Sequence, residues 1–121
     1  MKVAVTGASG HIGNCLAREL YKQGLQVKVL VHKYQDSLKD LDIEFIRGDL
    51  LDKSSLEKLC SNVDVVFHLA AKIAIDKKEK DLVYFTNVQG TQNLVDVCIE
   101  KNIKRFIHFS SIHAYDPHPI D

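Results

Sequence analysis

The sequence predicts an α/β fold, a doubly wound parallel sheet of about five strands in the order 3-2-1-4-5. Short apolar segments alternate with helical patterns along the 121 residues, which is typical of strands joined by helical crossovers. The strand segments are too apolar to leave one face in water, so helices are expected on both faces. Right-handed crossovers then give this strand order.

The periodicity and the end signals place each element. Strands are expected at Lys2–Thr6, Gln26–Val31, 43–46, 63–69 and 105–109. A helix at 11–23, ended by Gly24, presents one apolar face of Ile12, Cys15, Leu16 and Leu20. A capping box of Ser54 and Glu57 begins a short helix. A long helix covers 80–101 and stops at Asn102, and 32–41 is a polar connection without assigned structure.

Composition favours one cytoplasmic domain, residues 1–121. Sixteen basic and sixteen acidic residues cancel, so neither a nucleic-acid partner nor a membrane partner is expected. The three cysteines form no Cys-x-x-Cys pair and fall on apolar helix sides, which indicates reduced core residues. No signal peptide or membrane span is expected. The six histidines show no metal-ligand spacing, and His68 and His108 are expected to be hydrogen-bonded structural residues.

Between the first strand and the first helix, the chain turns through Gly7, Gly10 and Gly13. Glycines allow positive φ and let a ligand approach the backbone, and the helix start offers unpaired N–H groups and partial positive charge. This pattern favours a phosphate-binding turn. A plain turn that needs glycine is the alternative.

The turn and four later segments resemble a known family. The turn reads Thr-Gly-x-x-Gly-x-x-Gly, and Gly-Asp-Leu at 48–50, His-Leu-Ala-Ala at 68–71, Asn-Val-Gln-Gly-Thr at 87–91 and Phe-Ser-Ser at 109–111 follow in order. Together they resemble the extended short-chain dehydrogenases/reductases, the NAD(P)-dependent epimerase/dehydratase superfamily, and are closest to dihydroflavonol reductase and 3β-hydroxysteroid dehydrogenase-like members. The resemblance implies a Rossmann-like fold, truncated before the family's substrate domain.

The resemblance also implies site residues. Gly7, Gly10 and Gly13 would hold the pyrophosphate, with His11 and Ile12 in the same turn; Asp49 would accept from the adenine amine, with Leu50 against the ring. Leu69, Ala70 and Ala71 would leave room for the adenine ribose and nicotinamide half, and Ser110 would contact the cofactor or cap the loop. Ser111 would be the catalytic serine and Asn87 a supporting residue; no metal is implied.

Bland alternatives stay open for several of these residues. Asp49 would serve equally as a loop or helix-capping residue, the Ala70–Ala71 pair as helix packing, and Asn87 as an exposed polar residue. Gly90 lies inside the long helix, where it costs about 1 kcal/mol relative to Ala, so a close approach by another backbone is expected there.

The residues after the second strand favour NADP over NAD. Folds of this type that prefer NAD place an acidic residue roughly 20 residues past the glycines, where this chain has Val31, His32 and Lys33. A cationic side chain there would attract a 2′-phosphate. Asp36 is the alternative, since it could take the acidic role.

The chain has no Tyr-x-x-x-Lys pair, which the resemblance implies as proton donor and ribose ligand. We therefore expect the N-terminal half of an oxidoreductase or epimerase, inactive alone, whose small-molecule substrate binds only in a full-length form. We also expect a homodimer through helix 80–101, because residues such as Val88, Val95 and Ile99 would be uncovered. A non-catalytic dinucleotide sensor or interaction module is the alternative, and a remnant that binds nothing is a third.

Overall fold

The computed structural model describes residues 1–8, 11–31, 38–69 and 77–109, and of residues 77–84 and 86 it describes the backbone alone. Within these ranges, the strands are β1 (Lys2–Thr6), β2 (Gln26–Val31), β3 (Glu44–Arg47), β4 (Val65–His68) and β5 (Arg105–His108). The helices are α1 (His11–Lys22), α2 (Lys53–Leu59) and α3 (Lys77–Glu100).

The described strands form a parallel sheet in the order β3-β2-β1-β4-β5. The predicted fold class and strand order are therefore confirmed. The order runs outward from β1 in both directions, so β1 and β4 are neighbours in the sheet although two helices and two strands separate them along the chain. Ligands in such sheets bind at the carboxyl ends of the strands, near this switch in strand order.

Alternation along β1 separates two apolar cores, one on each face of the sheet. Val3 and Val5 pack with residues of β2 and with Ala17 of α1. Ala4 packs on the opposite face with apolar residues of α2, β4 and α3. Because successive strand side chains point to opposite faces, both faces of β1 are buried, as expected for a central parallel strand.

Lys28 is a charged residue inside the second core. It pairs in register with Ala4 and is only 4% exposed. Its Nζ donates to the carbonyl oxygens of Lys58 at 2.6 Å and Ser61 at 3.2 Å, at the end of α2. Burial lowers the pKa of Lys28, against the opposing effect of Glu44. The ammonium thus binds carbonyl oxygens at the carboxyl end of α2, where the helix dipole favours a cation.

The predicted apolar face of α1 was wrong in part. Ile12 is 66% exposed and Cys15 is also exposed, whereas Gly13 and Ala17 are buried. Small residues face the sheet because α1 lies very close to the end of β1. Cys15 is therefore not the core residue that was expected, although Cys60 and Cys98 are buried.

The start of α2 also differs from the prediction. Its N-cap is Asp52, whose Oδ1 accepts from the backbone N–H of Ser54 at 3.1 Å and from the Ser54 hydroxyl at 2.8 Å. A carboxylate is a strong acceptor for the free N–H groups of a first turn, so the helix begins before the predicted capping box. The predictions that Gly24 ends the first helix and that Asn102 ends the long helix are confirmed, because these residues adopt positive φ angles of 84° and 55°.

Candidate functional site

The glycine turn packs tightly against the start of α1. Gly7 has a φ of 79°, which favours glycine. A Cβ added to Gly13 would lie 2.0 Å from the carbonyl oxygen of Gly7, so only glycine fits at this point of the helix. The turn therefore lies flush with the helix end, where free N–H groups and the helix dipole can bind an anion.

A buried histidine connects the ends of β1 and β4. The two strands are in register at Thr6 and His68, and His68 Nδ1 lies 2.7 Å from Thr6 Oγ1. The other ring nitrogen, Nε2, lies 2.9 Å from Thr91 Oγ1 on α3. Thr6 Oγ1 also accepts from the backbone N–H of Leu69 at 3.1 Å. The prediction that His68 is a hydrogen-bonded structural residue is confirmed.

His68 is neutral at physiological pH. It is fully buried, and burial lowers its pKa to about 4, with a smaller contribution in the same direction from His108. The ring of His108 stacks on that of His68 with centroids 5.1 Å apart, but His108 itself is exposed. A neutral imidazole can accept a hydrogen bond at one nitrogen and donate at the other.

The turn at Asp49 and Leu50 follows β3 at the same edge of the sheet. The Asp49 carboxylate accepts from the backbone N–H of Leu51 at 2.9 Å. The hydroxyl of Ser55, on α2, accepts from the Asp49 N–H at 3.1 Å. Its one proton has two carbonyl acceptors within reach, Asp52 at 2.8 Å and Asp49 at 3.1 Å. Asp49 thus makes the contact expected of a loop-capping residue, and it also lies beside the candidate site.

The long helix α3 lies against this turn. A Cβ on Gly90 would lie 2.8 Å from the Cβ of Leu50, so the close approach predicted at Gly90 is present but involves a side chain rather than another backbone. Asn93 Nδ2 donates to the Leu50 carbonyl at 3.0 Å. Asn87 is half-buried one helical turn before Thr91, on the face that reaches His68.

Residues 3–121 match the sequence model of the NAD dependent epimerase/dehydratase family. The chain belongs to this family. Membership agrees with the resemblance carried by the five motifs and with the observed strand order.

Relatives of this epimerase/dehydratase member include two curated enzymes. The chain is 33% identical over 128 residues to dTDP-D-glucose 4,6-dehydratase of Dictyostelium discoideum, covering 94% of this chain and 30% of that protein. It is 40% identical over 76 residues to 3beta-hydroxysteroid-dehydrogenase/decarboxylase isoform 2 of Arabidopsis thaliana, covering 63% of this chain and 13% of that protein. The chain spans between 13% and 37% of the length of curated relatives such as these.

The family fold is also found in a solved structure. A short-chain dehydrogenase/reductase superfamily protein from Agrobacterium tumefaciens, crystallised with bound NAD, matches with a TM-score of 0.80 at 27% identity. The match covers 92% of this chain and 33% of that one.

The structure brings together part of the site that the family motifs predict. Gly7, Gly13, Asp49, Leu50 and Leu69 all lie at the carboxyl edge of the sheet. His11 and Ile12 are exposed at the start of α1, and Asn87 is half-buried on α3. The remaining predicted site residues lie outside the described residues: Gly10, His32, Lys33, Ala70, Ala71, Ser110 and Ser111, together with the alternative Asp36. In the stretches that are described, no three His, Cys, Asp or Glu side chains are grouped as metal ligands. Every helix in those stretches is too short or too polar to span a membrane.

Sequence reasoning did not single out three residues that hold this edge together, namely Ser55, Thr91 and Asn93. Thr91 was present only as part of a motif, without a role. A polar residue on an apolar helix stripe is a weak signal by itself, because its partner lies far away in the chain. Asn93 and Leu50 are 43 positions apart.

Proposed function

We propose that residues 1–121 form one dinucleotide-binding domain, the cofactor-binding part of an epimerase, dehydratase or reductase. The observation that carries this is the close packing of the Gly7 carbonyl against Gly13. A Cβ added to Gly13 would lie 2.0 Å from the carbonyl oxygen of Gly7. Such a turn at the end of a central strand offers backbone N–H groups to a pyrophosphate. The bound NAD of the Agrobacterium tumefaciens relative supports the same ligand class.

The dinucleotide would extend along the carboxyl edge of the sheet. The pyrophosphate would lie at Gly7, Gly10 and Gly13, beside His11 and Ile12. Asp49 would accept from the adenine amine and Leu50 would contact the ring. Leu69, Ala70, Ala71 and Ser110 would line the remainder of the cofactor.

Two glycines with similar backbone angles provide the test of binding. Gly7 and Gly24 have φ angles of 79° and 84°, and only Gly7 belongs to the turn. A side chain at such a φ costs about 1 kcal/mol at either position. We expect Gly7→Ala to weaken NAD or NADP binding in calorimetric titration at least tenfold, and Gly24→Ala to leave it unchanged. Failure of the unsubstituted chain to bind either dinucleotide would contradict the proposal.

We propose that NADP binds more tightly than NAD. His32 and Lys33 follow β2, where a cation would attract the 2′-phosphate and a carboxylate would repel it. Substituting Lys33→Glu is expected to reverse the order of the two affinities, and Asp36→Asn to leave it unchanged. Tighter binding of NAD by the unsubstituted chain would refute the preference.

The proposed reaction class acts on a hydroxyl or carbonyl of a small molecule. Ser111 would bind the substrate oxygen and Asn87 would support the catalytic centre. The 121 residues contain no Tyr-x-x-x-Lys pair, in which the lysine would tune the tyrosine for proton transfer near neutral pH. We therefore expect the 121 residues alone to be inactive, and we expect substrate binding to need a longer form. Nicotinamide-dependent turnover by the purified 121 residues, followed at 340 nm, would overturn this.

A non-catalytic sensor or interaction module is the second candidate. The apolar surface of α3 favours it, because a partner could cover the exposed side chains there. Binding of a partner that depends on the dinucleotide, with no turnover in any longer form, would distinguish it from the enzyme. A cytoplasmic location fits either candidate, and the free state of the three cysteines supports it.

We also propose a homodimer through α3. Phe85, Val88 and Ile99 are 57%, 51% and 70% exposed, and with half-buried Val95 they follow the spacing of a helix–helix seam. A second copy would cover this stripe. Light scattering after size-exclusion chromatography should give twice the chain mass, and Ile99→Glu should give the monomer mass. A monomeric unsubstituted chain at high micromolar concentration would refute the dimer.

A further inference from the structure

We propose that one turn of α3, residues 90–93, positions both parts of the dinucleotide site. Gly90 and Asn93 fix the adenine turn, meaning Asp49 and Leu50. Thr91 fixes the strand exits, meaning Thr6 and Leu69 at the ends of β1 and β4. The proposal rests on the proposed function, because it takes this edge of the sheet as the dinucleotide site.

Asn93 holds the adenine turn by its backbone. Its Nδ2 donates to the Leu50 carbonyl at 3.0 Å, and its Oδ1 accepts from Gln89 Nε2 at 2.9 Å. The two contacts fix the orientation of the amide, with the donor towards the turn. Asn93 is therefore a positioning residue that acts through Leu50.

Gly90 and Ser55 restrict the same turn from two sides. The Leu50 side chain lies so close to Gly90 that a Cβ there would be 2.8 Å from the Leu50 Cβ. On the side of α2, a Cβ on Gly48 would lie 2.0 Å from the Cβ of Ser55, whose hydroxyl bonds both the N–H and the carbonyl of Asp49. The turn is thus held between two helices, and Asn93 supplies the polar contact on the α3 side.

Thr91 acts on the strand exits through His68. Its Oγ1 lies 2.9 Å from Nε2 of the buried His68, whose Nδ1 lies 2.7 Å from Thr6 Oγ1. Whichever nitrogen carries the proton, both ends of the ring are bound to a threonine hydroxyl. Thr6 in turn accepts the Leu69 N–H at both its Oγ1 and its carbonyl oxygen, at 3.1 and 3.2 Å. A change at Thr91 is therefore transmitted to the residue that precedes Gly7 and to Leu69.

The test separates the two connections with variants of nearly unchanged shape. Asn93→Asp removes the donor to Leu50, and Thr91→Val removes the hydroxyl at His68. Gln92→Ala is the control, because Gln92 lies between them, is exposed and donates from its amide to Asp96 Oδ1 on the same helix at 2.9 Å. Circular dichroism melting checks that each variant folds.

Amide hydrogen exchange of the ligand-free chain gives the first readout. Losing one buried hydrogen bond corresponds to about tenfold in a local opening equilibrium. Asn93→Asp should speed exchange at the Leu51 amide about tenfold and leave Leu69 unchanged, whereas Thr91→Val should do the reverse. Equal acceleration at both amides, or none at either, would overturn the proposal.

Ligand affinities give the second readout, which a role in general stability would not move. Asn93→Asp should weaken adenosine and NAD by the same factor, about tenfold. Thr91→Val should weaken NAD by a similar factor and leave adenosine unchanged. Weakening of adenosine by Thr91→Val would refute the division. If the unsubstituted chain bound neither ligand, the proposed function would fail, and the exchange pattern would still decide whether residues 90–93 hold the two turns.

Discussion

Gly13→Ala tests whether the glycine turn and α1 are as closely packed as the structure indicates. The added Cβ would lie 2.0 and 2.7 Å from the carbonyl oxygen and carbon of Gly7 and 3.0 Å from the Cα of Ala8. All three atoms belong to the backbone, so no side chain can rotate away. The first contact must lengthen by roughly 1.5 Å to reach an ordinary separation, which requires a shift of the helix relative to β1.

Two opposing effects set the size of the change. Overpacking a well-packed interior costs about 1–3 kcal/mol, whereas alanine favours a helix interior by about 1 kcal/mol relative to glycine. We expect overpacking to exceed the gain, so that the free energy of unfolding falls by up to about 2 kcal/mol. For a chain of this length, that corresponds to a melting temperature lower by up to roughly 8 °C.

The assay is thermal unfolding followed by circular dichroism, with dinucleotide titration of the folded variant. Gly24→Ala is the control, since nothing lies within 4 Å of the added Cβ and only the positive φ of 84° opposes it. The control should lose about 1 kcal/mol of stability and keep its affinity for the dinucleotide, whereas Gly13→Ala should lose both. A Gly13→Ala variant that melts at or above the unsubstituted chain would show that α1 is not fixed against the turn.

Three further results are expected. The folded pKa of His68, about 4, lies below the ordinary value of 6.5. Stability that is present above pH 6.5 is therefore lost as the pH falls towards 4, by roughly 3 kcal/mol. Urea unfolding at pH 7 and 4.5 should show a smaller loss of stability for His68→Gln than for the control His108→Gln. Lys28→Met removes a donor to two carbonyls and should lower the free energy of unfolding by about 1–3 kcal/mol. Lys53→Met, at an exposed ion pair, should change the free energy of unfolding by less than about 0.5 kcal/mol. Equal effects of the two substitutions would contradict the buried contact of Lys28. A thiol reagent should modify Cys15 in the native chain and all three cysteines in urea, as counted by mass spectrometry. The reason is that Cys60 and Cys98 are buried, and that the Cys60 thiol and burial raise the pKa of Cys98. Rapid modification of Cys98 in the native chain would contradict this.

The sheet could be predicted because its information is local. Each described strand lies at an apolar segment, and the crossover rules order the segments without reference to side-chain detail. The face of α1 could not be read in the same way. Periodicity gives weight to Ile12, but the helix packs through Gly13 and Ala17, since its distance from β1 is set by how little volume lies between them.

The polar contacts of the site could be predicted only where a motif contained them. The glycine turn was predicted from its own glycine spacing and Asp49 from a family motif, whereas no pattern singled out Lys28 or Asn93. Their partners are carbonyl groups 30 to 43 positions away, and every residue has a carbonyl, so the sequence carries no sign of which one is used. These contacts follow from how α2 and α3 dock on the sheet.

The short helix α2 has a consequence for affinity. Seven residues are too few for a helix to be stable by itself, so α2 persists through its apolar contacts, the ammonium of Lys28 at its end and the cap of Asp52 at its start. Its Ser55 also holds Asp49. Each local opening of α2 would therefore release Asp49 and Leu50, the turn proposed to bind adenine. The apparent dissociation constant of the dinucleotide would then rise by the inverse of the fraction of molecules in which α2 is docked. Substitutions that stabilise α2 far from the ligand should then tighten binding without touching it.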